Sequence, residues 1–163
     1  MKIAIISDTH DSLEKIEAFL DEIKDKKIDL IIHAGDFCSP YTAFSFQDLA
    51  VPMIGVFGNN DGDKPAILSK FEGIADISDY CKFYSTPDKA RIVITHYPDL
   101  VKSLAKSGDF DYIIYGHTHK IDISDEGDCL IINPGSISGH LAENASFVIL
   151  DTIAKEVETV ILE

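Results

Sequence analysis

Short apolar runs alternate with amphipathic stretches along the first two thirds of the chain. Alternation of this kind is typical of strands and helices that wind around a parallel sheet, and it predicts an α/β fold. The pattern predicts a first helix that ends near Lys26, further helices at 40–49, 65–72 and 99–106, and strands at 2–7, 28–33, 52–57, 80–84, 90–95 and 111–115.

The first helix carries clear local signals. Asp11 and Glu14 resemble a capping box, in which side chains bond the free backbone N–H groups at a helix start. Apolar residues recur on one face of the segment, at Leu13, Ile16, Leu20 and Ile23. This spacing predicts an amphipathic helix.

Helical patterns stop after about residue 120. Residues 120–163 contain three or four further strand-like runs, with a turn signal at Asn133-Pro134-Gly135. We therefore expect an all-β C-terminal third that forms a second sheet packed on the first. The chain has 163 residues and no low-complexity linker, so we expect a single domain over 1–163.

The balance of charge argues against polyanionic partners. The chain has 14 Lys and Arg residues against 28 Asp and Glu residues, a formal net charge of -14. Nucleic-acid duplexes and anionic membranes bind clustered Lys and Arg side chains, and the densest basic segment, 24–27, is interrupted by Asp25. The acidic C-terminal quarter is interpreted as a solvated face, and a docking surface for a basic partner is the alternative.

The cysteines Cys38, Cys81 and Cys129 are widely spaced and form no Cys-x-x-Cys pair. This pattern is neither a disulfide framework nor a zinc ribbon. The apolar run at the N-terminus is too short for a signal peptide, and no segment approaches the length of a membrane span. We therefore expect a cytoplasmic location and no membrane partner.

Potential metal ligands follow five of the predicted strands. Sites in open α/β sheets lie at the carboxyl ends of the strands, so neighbouring strands would bring these side chains into one crevice. The Asp-x-His and His-x-His spacings place both side chains of each pair on one side of an extended segment. In chain order the seven candidates are Asp8, His10, Asp36, Asn59, His96, His117 and His119.

Seven such donors are too many for one ion of ordinary coordination number. They can serve two ions if one donor is shared, and Asp36 is the candidate bridge because a carboxylate has two oxygens. Mixed nitrogen and oxygen donors favour first-row divalent ions over Mg²⁺ or Ca²⁺. We expect two divalent transition-metal ions, with Mn²⁺ as the first choice and Ni²⁺, Fe²⁺, Co²⁺ or Zn²⁺ as alternatives.

These motifs, in this order, resemble the calcineurin-like metallophosphoesterase superfamily, and the short chain is similar to its small YfcE-like phosphodiesterase branch. The resemblance spans Asp8 to the turn at 133–136. It implies a four-layer αββα sandwich of two mixed sheets flanked by helices, with the site at the edge of the sheets. It also implies one ion held by Asp8, His10 and His119, a second held by Asn59, His96 and His117, and Asp36 as the bridge.

The function that the resemblance implies is hydrolysis of a small phosphodiester through a metal-bridging hydroxide, with Asp36, Asn60 and His96 as the catalytic side chains. Members of the family typically have a histidine at the position of Asn60, and that histidine stabilises or protonates the leaving oxygen. An amide cannot deliver a proton, so we expect a preference for good leaving groups such as nitrophenolate. Related small phosphodiesterases are often dimeric or tetrameric, so the resemblance allows a homo-oligomer.

Other polar residues near the motifs have simpler interpretations. His33 is expected to be a hydrogen-bonded structural histidine, and Cys38 a small buried hydrophobe. Asp61 is expected to cap the following helix or to orient Asn60. His140 is expected to be an exposed loop residue, in a segment where related sequences often have a Pro-Arg pair.

A non-catalytic protein-binding scaffold is the alternative function. The resemblance also reaches the retromer subunit of the same fold, which lacks a complete set of metal ligands. All seven ligand positions are filled in this sequence, which favours an enzyme.

Overall fold

The computed structural model describes residues 1–162, and this range contains eleven strands and four α-helices. The helices are α1 (Leu13–Ile23), α2 (Ala43–Phe46), α3 (Lys64–Lys70) and α4 (Val101–Ser107). The strands are β1 (Lys2–Ile6), β2 (Leu30–His33), β3 (Met53–Val56), β4 (Ala75–Ser78), β5 (Cys81–Ser85), β6 (Arg91–Thr95), β7 (Tyr112–Ile114), β8 (Ile121–Glu126), β9 (Cys129–Pro134), β10 (Ala145–Asp151) and β11 (Glu156–Leu162). Within residues 1–162, no helix combines the length and the apolar character needed to cross a bilayer.

The strands form two mixed sheets. The first has the order β11-β10-β1-β2-β3-β4 and the second the order β5-β6-β7-β9-β8. Strands β1 to β4 run parallel, as do β6, β7 and β9, and the other pairs are antiparallel. The carboxyl ends of the central strands of each sheet therefore lie together, which is the edge where sites form in α/β proteins.

Alternation of side chains along β1 shows how the layers are held together. Ile3 and Ile5 are buried between the two sheets, whereas Ala4 and Ile6 face the helical layer that contains α1. On the far side, α4 packs against the outer face of the second sheet. Full burial of an isoleucine stabilises the fold by about 1.5–3 kcal/mol. The predicted four-layer αββα sandwich and the all-β C-terminal third are confirmed, but this third does not form the second sheet by itself. Strands β8 and β9 join β5, β6 and β7, whereas β10 and β11 extend the first sheet.

The predicted elements differ from the structure mainly at short segments. Strand β4 was not predicted, because its sequence Ala-Asp-Ile-Ser is short and only partly buried at the edge of the sheet. The predicted helix at 40–49 is a 3₁₀ turn at Pro40–Thr42 followed by the single-turn α2. Helix α1 ends at Ile23 rather than near Lys26.

The predicted capping box at α1 is wrong. Ser12 is the N-cap residue and its side chain makes no capping hydrogen bond. The Asp11 carboxylate instead accepts hydrogen bonds from the Ser39 backbone N–H at 3.1 Å and from the Thr42 hydroxyl at 2.6 Å. Asp11 therefore ties the loop after β1 to the loop after β2, and this tertiary role replaces the local one.

Candidate metal centre

All seven predicted ligands lie in one cluster at the carboxyl end of the sandwich. The loops after β1, β2 and β3 reach it from the first sheet, and the loops after β6 and β7 reach it from the second. The cluster divides into two groups of side chains, and Asp36 contacts both.

The first group consists of Asp8, His10, Asp36 and His119, whose ligand atoms all lie within 4.8 Å of one another. His10 Nε2 lies 3.2 Å from His119 Nε2, and it lies 3.6 Å from Asp8 Oδ1 and from Asp36 Oδ2. His119 Nδ1 lies 2.6 Å from the His140 carbonyl oxygen, to which it must donate a proton. The neutral imidazole of His119 therefore presents a lone pair from Nε2 to the cluster.

The second group consists of Asn59, His96 and His117. Asn59 Oδ1 lies 3.0 Å from His96 Nε2 and 2.8 Å from His117 Nδ1. His96 Nδ1 lies 2.8 Å from the Ala34 carbonyl oxygen and must donate there, which fixes Nε2 as the lone-pair atom of the neutral ring. This Nε2 also lies 3.5 Å from Asp36 Oδ2, so Asp36 joins the second group to the first.

The hydrogen bonding of the Asp8 carboxylate shows whether these donors fit a metal ion. Its carboxylate is fully buried, and Oδ2 accepts hydrogen bonds from Ser7 Oγ at 2.6 Å and from the His117 backbone N–H at 3.1 Å. Oδ1, by contrast, has no hydrogen-bond donor in the described part of the chain, although it lies 3.0 Å from His119 Nε2. A buried oxygen without a donor costs about 1–3 kcal/mol. A divalent cation would satisfy this oxygen and the lone pairs of the histidines at once, so the residues fit a metal site.

The charges within the cluster support the same conclusion. Burial raises the pKa of the Asp8 carboxyl, but the adjacent imidazoles of His10 and His119 outweigh burial and hold the pKa well below its usual range. Burial also opposes ionisation of Asp36, and His96 beside it brings its pKa below the ordinary value. In turn, Asp8 raises the pKa of His119, and Asp36 raises that of His96 against the effect of burial. The carboxylates are therefore anionic and attract cations.

The backbone at the ligands departs from the extended conformation predicted for the Asp-x-His and His-x-His segments. Five of the seven ligand positions have a positive φ, with values of 55° at Asp8, 44° at His10, 62° at Asp36, 69° at His117 and 57° at His119. Left-handed backbone costs energy at residues with a Cβ and clusters at functional sites. The side chains of each pair still converge, but through tight turns beyond the strand ends rather than through strand alternation.

The first 155 residues match the family model of the calcineurin-like phosphoesterase superfamily domain. The chain belongs to this superfamily. The superfamily and the branch predicted from the sequence motifs are thereby confirmed.

Relatives of the phosphoesterase domain include characterised and solved proteins. Phosphodiesterase MJ0936 of Methanocaldococcus jannaschii is 36% identical over 166 residues, with full coverage of both chains. Phosphodiesterase YfcE of Escherichia coli is 26% identical over 169 residues, which cover 93% of this chain and 88% of YfcE. A solved archaeal phosphodiesterase gives a TM-score of 0.93 at 35% identity and covers 99% of this chain and all of its own. Vps29 of Entamoeba histolytica gives a TM-score of 0.72 at 20% identity over the whole of both chains, a similarity of fold.

Asn60 contacts the phosphoesterase site through Asp36. Its backbone N–H donates to Asp36 Oδ1 and its side-chain amide donates to Asp36 Oδ2, both at 2.8 Å. The residue is otherwise exposed at the mouth of the cluster. Asn60 thus orients the central carboxylate and presents a hydrogen-bond donor, not a titratable group, to the cleft.

Asp61 organises two loops of the site. Its buried carboxylate accepts hydrogen bonds from the backbone N–H groups of Asp36 at 3.1 Å, Cys38 at 2.8 Å and Gly58 at 2.6 Å. Neither predicted role is observed, because Asp63 caps α3 and Asp61 bonds the backbone around Asp36 rather than Asn60. Burial raises the pKa of the Asp61 carboxyl, against the effect of these donors.

His33 is a structural histidine, as predicted. It is fully buried and stacks on Phe37 with ring centroids 3.7 Å apart. Nδ1 accepts a hydrogen bond from the Gly35 N–H at 3.1 Å, so the proton resides on Nε2, which donates to Thr9 Oγ1 at 3.0 Å. Thr9 Oγ1 donates onward to the Asp36 carbonyl oxygen at 3.2 Å. His33 therefore links the loop after β1 to the loop after β2 beneath the cluster.

Cys38 and His140 lie beside the first group of ligands. Cys38 is half-buried rather than buried, and its sulfur lies 3.2 Å from His10 Nδ1. Burial raises the pKa of this thiol to about 12, so the thiol is protonated. The His140 side chain is exposed as predicted, while its carbonyl oxygen orients His119.

Several supporting residues were not anticipated from the sequence. Asn133 Nδ2 donates to the Gly116 carbonyl oxygen at 2.9 Å and to Thr118 Oγ1 at 3.0 Å, which holds the loop that carries His117 and His119. A Cβ at Gly116 would collide with Ser7 Oγ, so only glycine allows this approach to Asp8. The one available signal was the turn sequence at 133–135, which marks a bend but not its partner.

The cluster opens into a cleft of about 380 Å³. In the described part of the chain, no Lys or Arg side chain lines this cleft. The lining consists of His10, Asp36, Asn59, Asn60, His117, His119, His140 and Leu141. Positive charge for a phosphate ester is therefore to be expected from bound cations rather than from protein side chains.

Proposed function

We propose that this protein is a dinuclear, metal-dependent phosphodiesterase that hydrolyses a small phosphodiester. The observation that carries the proposal is the convergence of seven ligand side chains into two groups that share Asp36. Asp8, His10 and His119 would hold one ion, Asn59, His96 and His117 the other, and Asp36 both. The mixed nitrogen and oxygen donors favour divalent transition metals, with Mn²⁺ as the first choice.

When bound, the two ions would supply Lewis acidity to the attacking water and to the phosphoryl oxygens. Water adds to phosphorus and one P–O ester bond breaks, which yields a phosphomonoester and an alcohol. Asn60 lies at the mouth of the cleft, where its amide can donate a hydrogen bond to the departing oxygen. Because the amide has no proton to transfer, the leaving group must depart largely as an anion.

The lining of the cleft favours a diester over a monoester. A phosphodiester carries one negative charge, whereas a monoester carries close to two at neutral pH and gains more from an additional Arg or Lys clamp. The cleft has only imidazole, amide and apolar groups beyond the shared carboxylate. The same substrate class is supported by the names of two phosphodiesterase relatives, MJ0936, which is similar over its full length, and YfcE, which is similar over 88% of its length.

A small substrate fits the charge of the molecule. The net charge of -14 repels extended polyanions such as a nucleic-acid duplex. A small diester needs only the local field of the metal centre, because salt screens more distant charges over about 10 Å. A cytoplasmic location and assembly into a homo-oligomer stay predictions, and size-exclusion chromatography with light scattering tests the latter.

The scaffold function predicted as an alternative has less support. The fold similarity to Vps29 is compatible with it. A scaffold, however, requires no metal ligands, whereas this chain brings all seven candidates together, and Asp8 Oδ1 has no hydrogen-bond donor among residues 1–162.

Hydrolysis assays test the proposal. Protein stripped of metal and reloaded with Mn²⁺, Ni²⁺, Zn²⁺ or Mg²⁺ is assayed with bis-p-nitrophenyl phosphate and with p-nitrophenyl phosphate. We expect metal-dependent cleavage that favours the diester and is lost in Asp36→Asn but not in the control Asp125→Asn, at a residue of β8 outside the cleft. A preference for the monoester would contradict the substrate class. Absence of hydrolysis despite bound metal would favour the scaffold.

A further inference from the structure

A second cavity adjoins the metal cleft. It has a volume of about 370 Å³ and shares His119 and Leu141 with the cleft as common lining. Its other walls include Lys120, Ile121, Glu143 and Asn144. A ligand bound at the metal centre can therefore extend past Leu141 into a separate compartment.

Leu141 is held in an unusual position. Its side chain is 83% exposed, the highest value among the exposed large apolar residues in the described range, and its φ of 58° lies in the left-handed region. Left-handed backbone costs a residue with a branched side chain on the order of 1 kcal/mol, and exposure forfeits the stabilisation of burial. The loop is fixed in this state by the contact between the His140 carbonyl oxygen and His119, and by a 3.2 Å hydrogen bond from the Ala142 N–H to the Gly139 carbonyl oxygen.

The position of the cavity relative to Asn60 indicates which part of a substrate it receives. In the first sheet, the order β10-β1-β2-β3 places Leu141, which precedes β10, at one end of the site and Asn60, which follows β3, at the other. Asp36, after β2, lies between them. With the departing oxygen beside Asn60 and the attacking water in line with it, the substituent that stays on phosphorus lies to the side of this axis and can reach the Leu141 side of the cleft.

The lining indicates the chemistry of that substituent. Ile121 is 44% exposed and, with Leu141, offers two apolar surfaces. The ammonium group of Lys120, the carboxylate of Glu143 and the amide of Asn144 supply polar groups around them. Four of the seven lining residues are polar, so a ring that packs on Leu141 and Ile121 would also meet hydrogen-bonding groups at its edge. The volume lies at the small end of the range for small-molecule pockets.

We propose that the Leu141 cavity is a subsite for an aromatic substituent that remains on phosphorus, so that the enzyme prefers phosphodiesters with a retained aryl or nucleobase-like ring. This inference rests on the proposed phosphodiesterase function. It adds a preference that the metal centre alone does not provide, since the metal centre contacts the phosphoryl group only.

Two diesters with the same leaving group test the subsite. Bis-p-nitrophenyl phosphate retains an aryl ring after hydrolysis, whereas methyl p-nitrophenyl phosphate retains a methyl group. For the metal-loaded wild-type protein we expect a KM about tenfold lower for the aryl substrate, the scale of discrimination that a small apolar pocket provides. In Leu141→Asn the ratio of the two KM values falls to about 2 or less, while the corresponding ratio of kcat values is nearly the same as in wild type.

The variants are chosen to keep the loop folded. Asparagine tolerates left-handed backbone, so Leu141→Asn removes the apolar surface and retains the turn. Leu141→Gly is the second variant should the first unfold, because glycine adopts positive φ without strain. Ile153→Asn is the matched control, since Ile153 is 74% exposed in the turn between β10 and β11, outside both cavities.

Equal KM values for the two diesters in the wild-type protein, or an unchanged ratio in both Leu141 variants, would overturn the subsite while leaving the phosphodiesterase function intact. Failure of the wild-type protein to hydrolyse either diester with any metal would overturn the proposed function, and the subsite with it. A fall in the ratio in Ile153→Asn as well would assign the effect to general destabilisation and also overturn the subsite.

Discussion

The Nε2 atoms of His10 and His119 lie 3.2 Å apart, and they lie 3.6 Å and 3.0 Å from the buried Oδ1 of Asp8. The His140 carbonyl oxygen fixes the proton of His119 on Nδ1, so its Nε2 has a lone pair to offer. Two imidazoles in this arrangement repel unless a proton or a cation lies between them. A proton on His10 Nε2 makes the contact a hydrogen bond, and without that proton both nitrogens have lone pairs for one ion.

The first prediction concerns the number of metal ions bound per chain. Wild-type protein dialysed after loading with Mn²⁺ should retain two ions, because the two groups of ligands are separate apart from Asp36. His119→Ala and His96→Ala should each retain about one, since each variant removes a ligand from one group only. Elemental analysis measures the stoichiometry. His140→Gln, which keeps the backbone carbonyl that orients His119, is the control and should retain two ions, and a single ion in the wild type would contradict the dinuclear proposal.

Because Asn60 has no proton to transfer, the rate of hydrolysis should depend on the leaving group. Asn60→His introduces a proton donor beside the departing oxygen, and general acid catalysis contributes roughly 10²–10⁴-fold where the leaving group is poor. The variant should therefore raise the rate for alkyl phosphodiesters at least about tenfold relative to the rate for nitrophenyl diesters. Steady-state kinetics on one substrate of each type measures the change.

Asn60→Ala is the matched control for this comparison. It removes the amide that donates to Asp36 Oδ2 without adding an acid, so the rates for both substrate types should fall and the ratio of the alkyl rate to the nitrophenyl rate should not rise. An unchanged ratio in Asn60→His, or equal turnover of alkyl and aryl diesters by the wild-type protein, would show that no proton donor is missing at this position.

Asp61 should be a major contributor to stability. Asp61→Ala leaves the backbone N–H groups of Asp36, Cys38 and Gly58 without their acceptor, and a buried donor left without a partner costs about 1–3 kcal/mol. Chemical denaturation should show this loss in the free energy of unfolding, together with weaker metal binding. Asp125→Ala should change the free energy of unfolding by less than about 0.5 kcal/mol, and a similarly small effect in Asp61→Ala would contradict the structural role.

The buried His33 should make the free energy of unfolding depend on pH. Burial lowers its pKa from 6.5 to about 3, so the folded chain keeps this ring neutral where the unfolded chain protonates it. Between pH 6.5 and 3 the unfolded state binds more protons, and the free energy of unfolding falls as pH falls, by up to about 1.4 kcal/mol per pH unit from this group. His33→Asn should show a shallower dependence in metal-free protein, measured by urea unfolding from pH 7 to pH 4.

The comparison for His33 is His140→Gln, which removes one exposed histidine and should keep the wild-type slope. If His33→Asn and wild type lose stability in parallel as pH falls, His33 is not held neutral in the folded protein. That result would also remove the basis for assigning its proton to Nε2.

The convergence of Asp8, Asp36 and Asn59 was predictable because each follows an apolar run, and the carboxyl ends of parallel strands in one sheet meet at one edge. The order of apolar and polar residues therefore identified Asp8, Asp36 and Asn59 as neighbours without any structure. Three other predicted ligands follow strands of the second sheet, namely His96, His117 and His119. A second layer of sheet was predictable because the strand-like runs after residue 120 have no helices to cover them, but the return of β10 and β11 to the first sheet was not.

The supporting contacts were not predictable, because they depend on pairing between loops distant in sequence. Asp11 has the local signature of a helix cap, but it bonds the loop at 39–42 instead. Asp61 precedes a helix in the sequence and yet bonds the backbone of Asp36, 25 residues earlier. A local pattern indicates that a polar side chain needs a hydrogen-bond partner, but the identity of that partner depends on the fold.

Each proposed ion takes ligands from both sheets of the sandwich. Asp8 and His10 come from the first sheet and their partner His119 from the second, and Asn59 is likewise separated from His96 and His117. A chain in which the two sheets have not yet docked therefore cannot assemble either ion site. Metal capture should occur late in folding, after the sheets dock, so that hydrolytic activity is confined to folded molecules and partly folded chains neither consume metal nor cleave substrate.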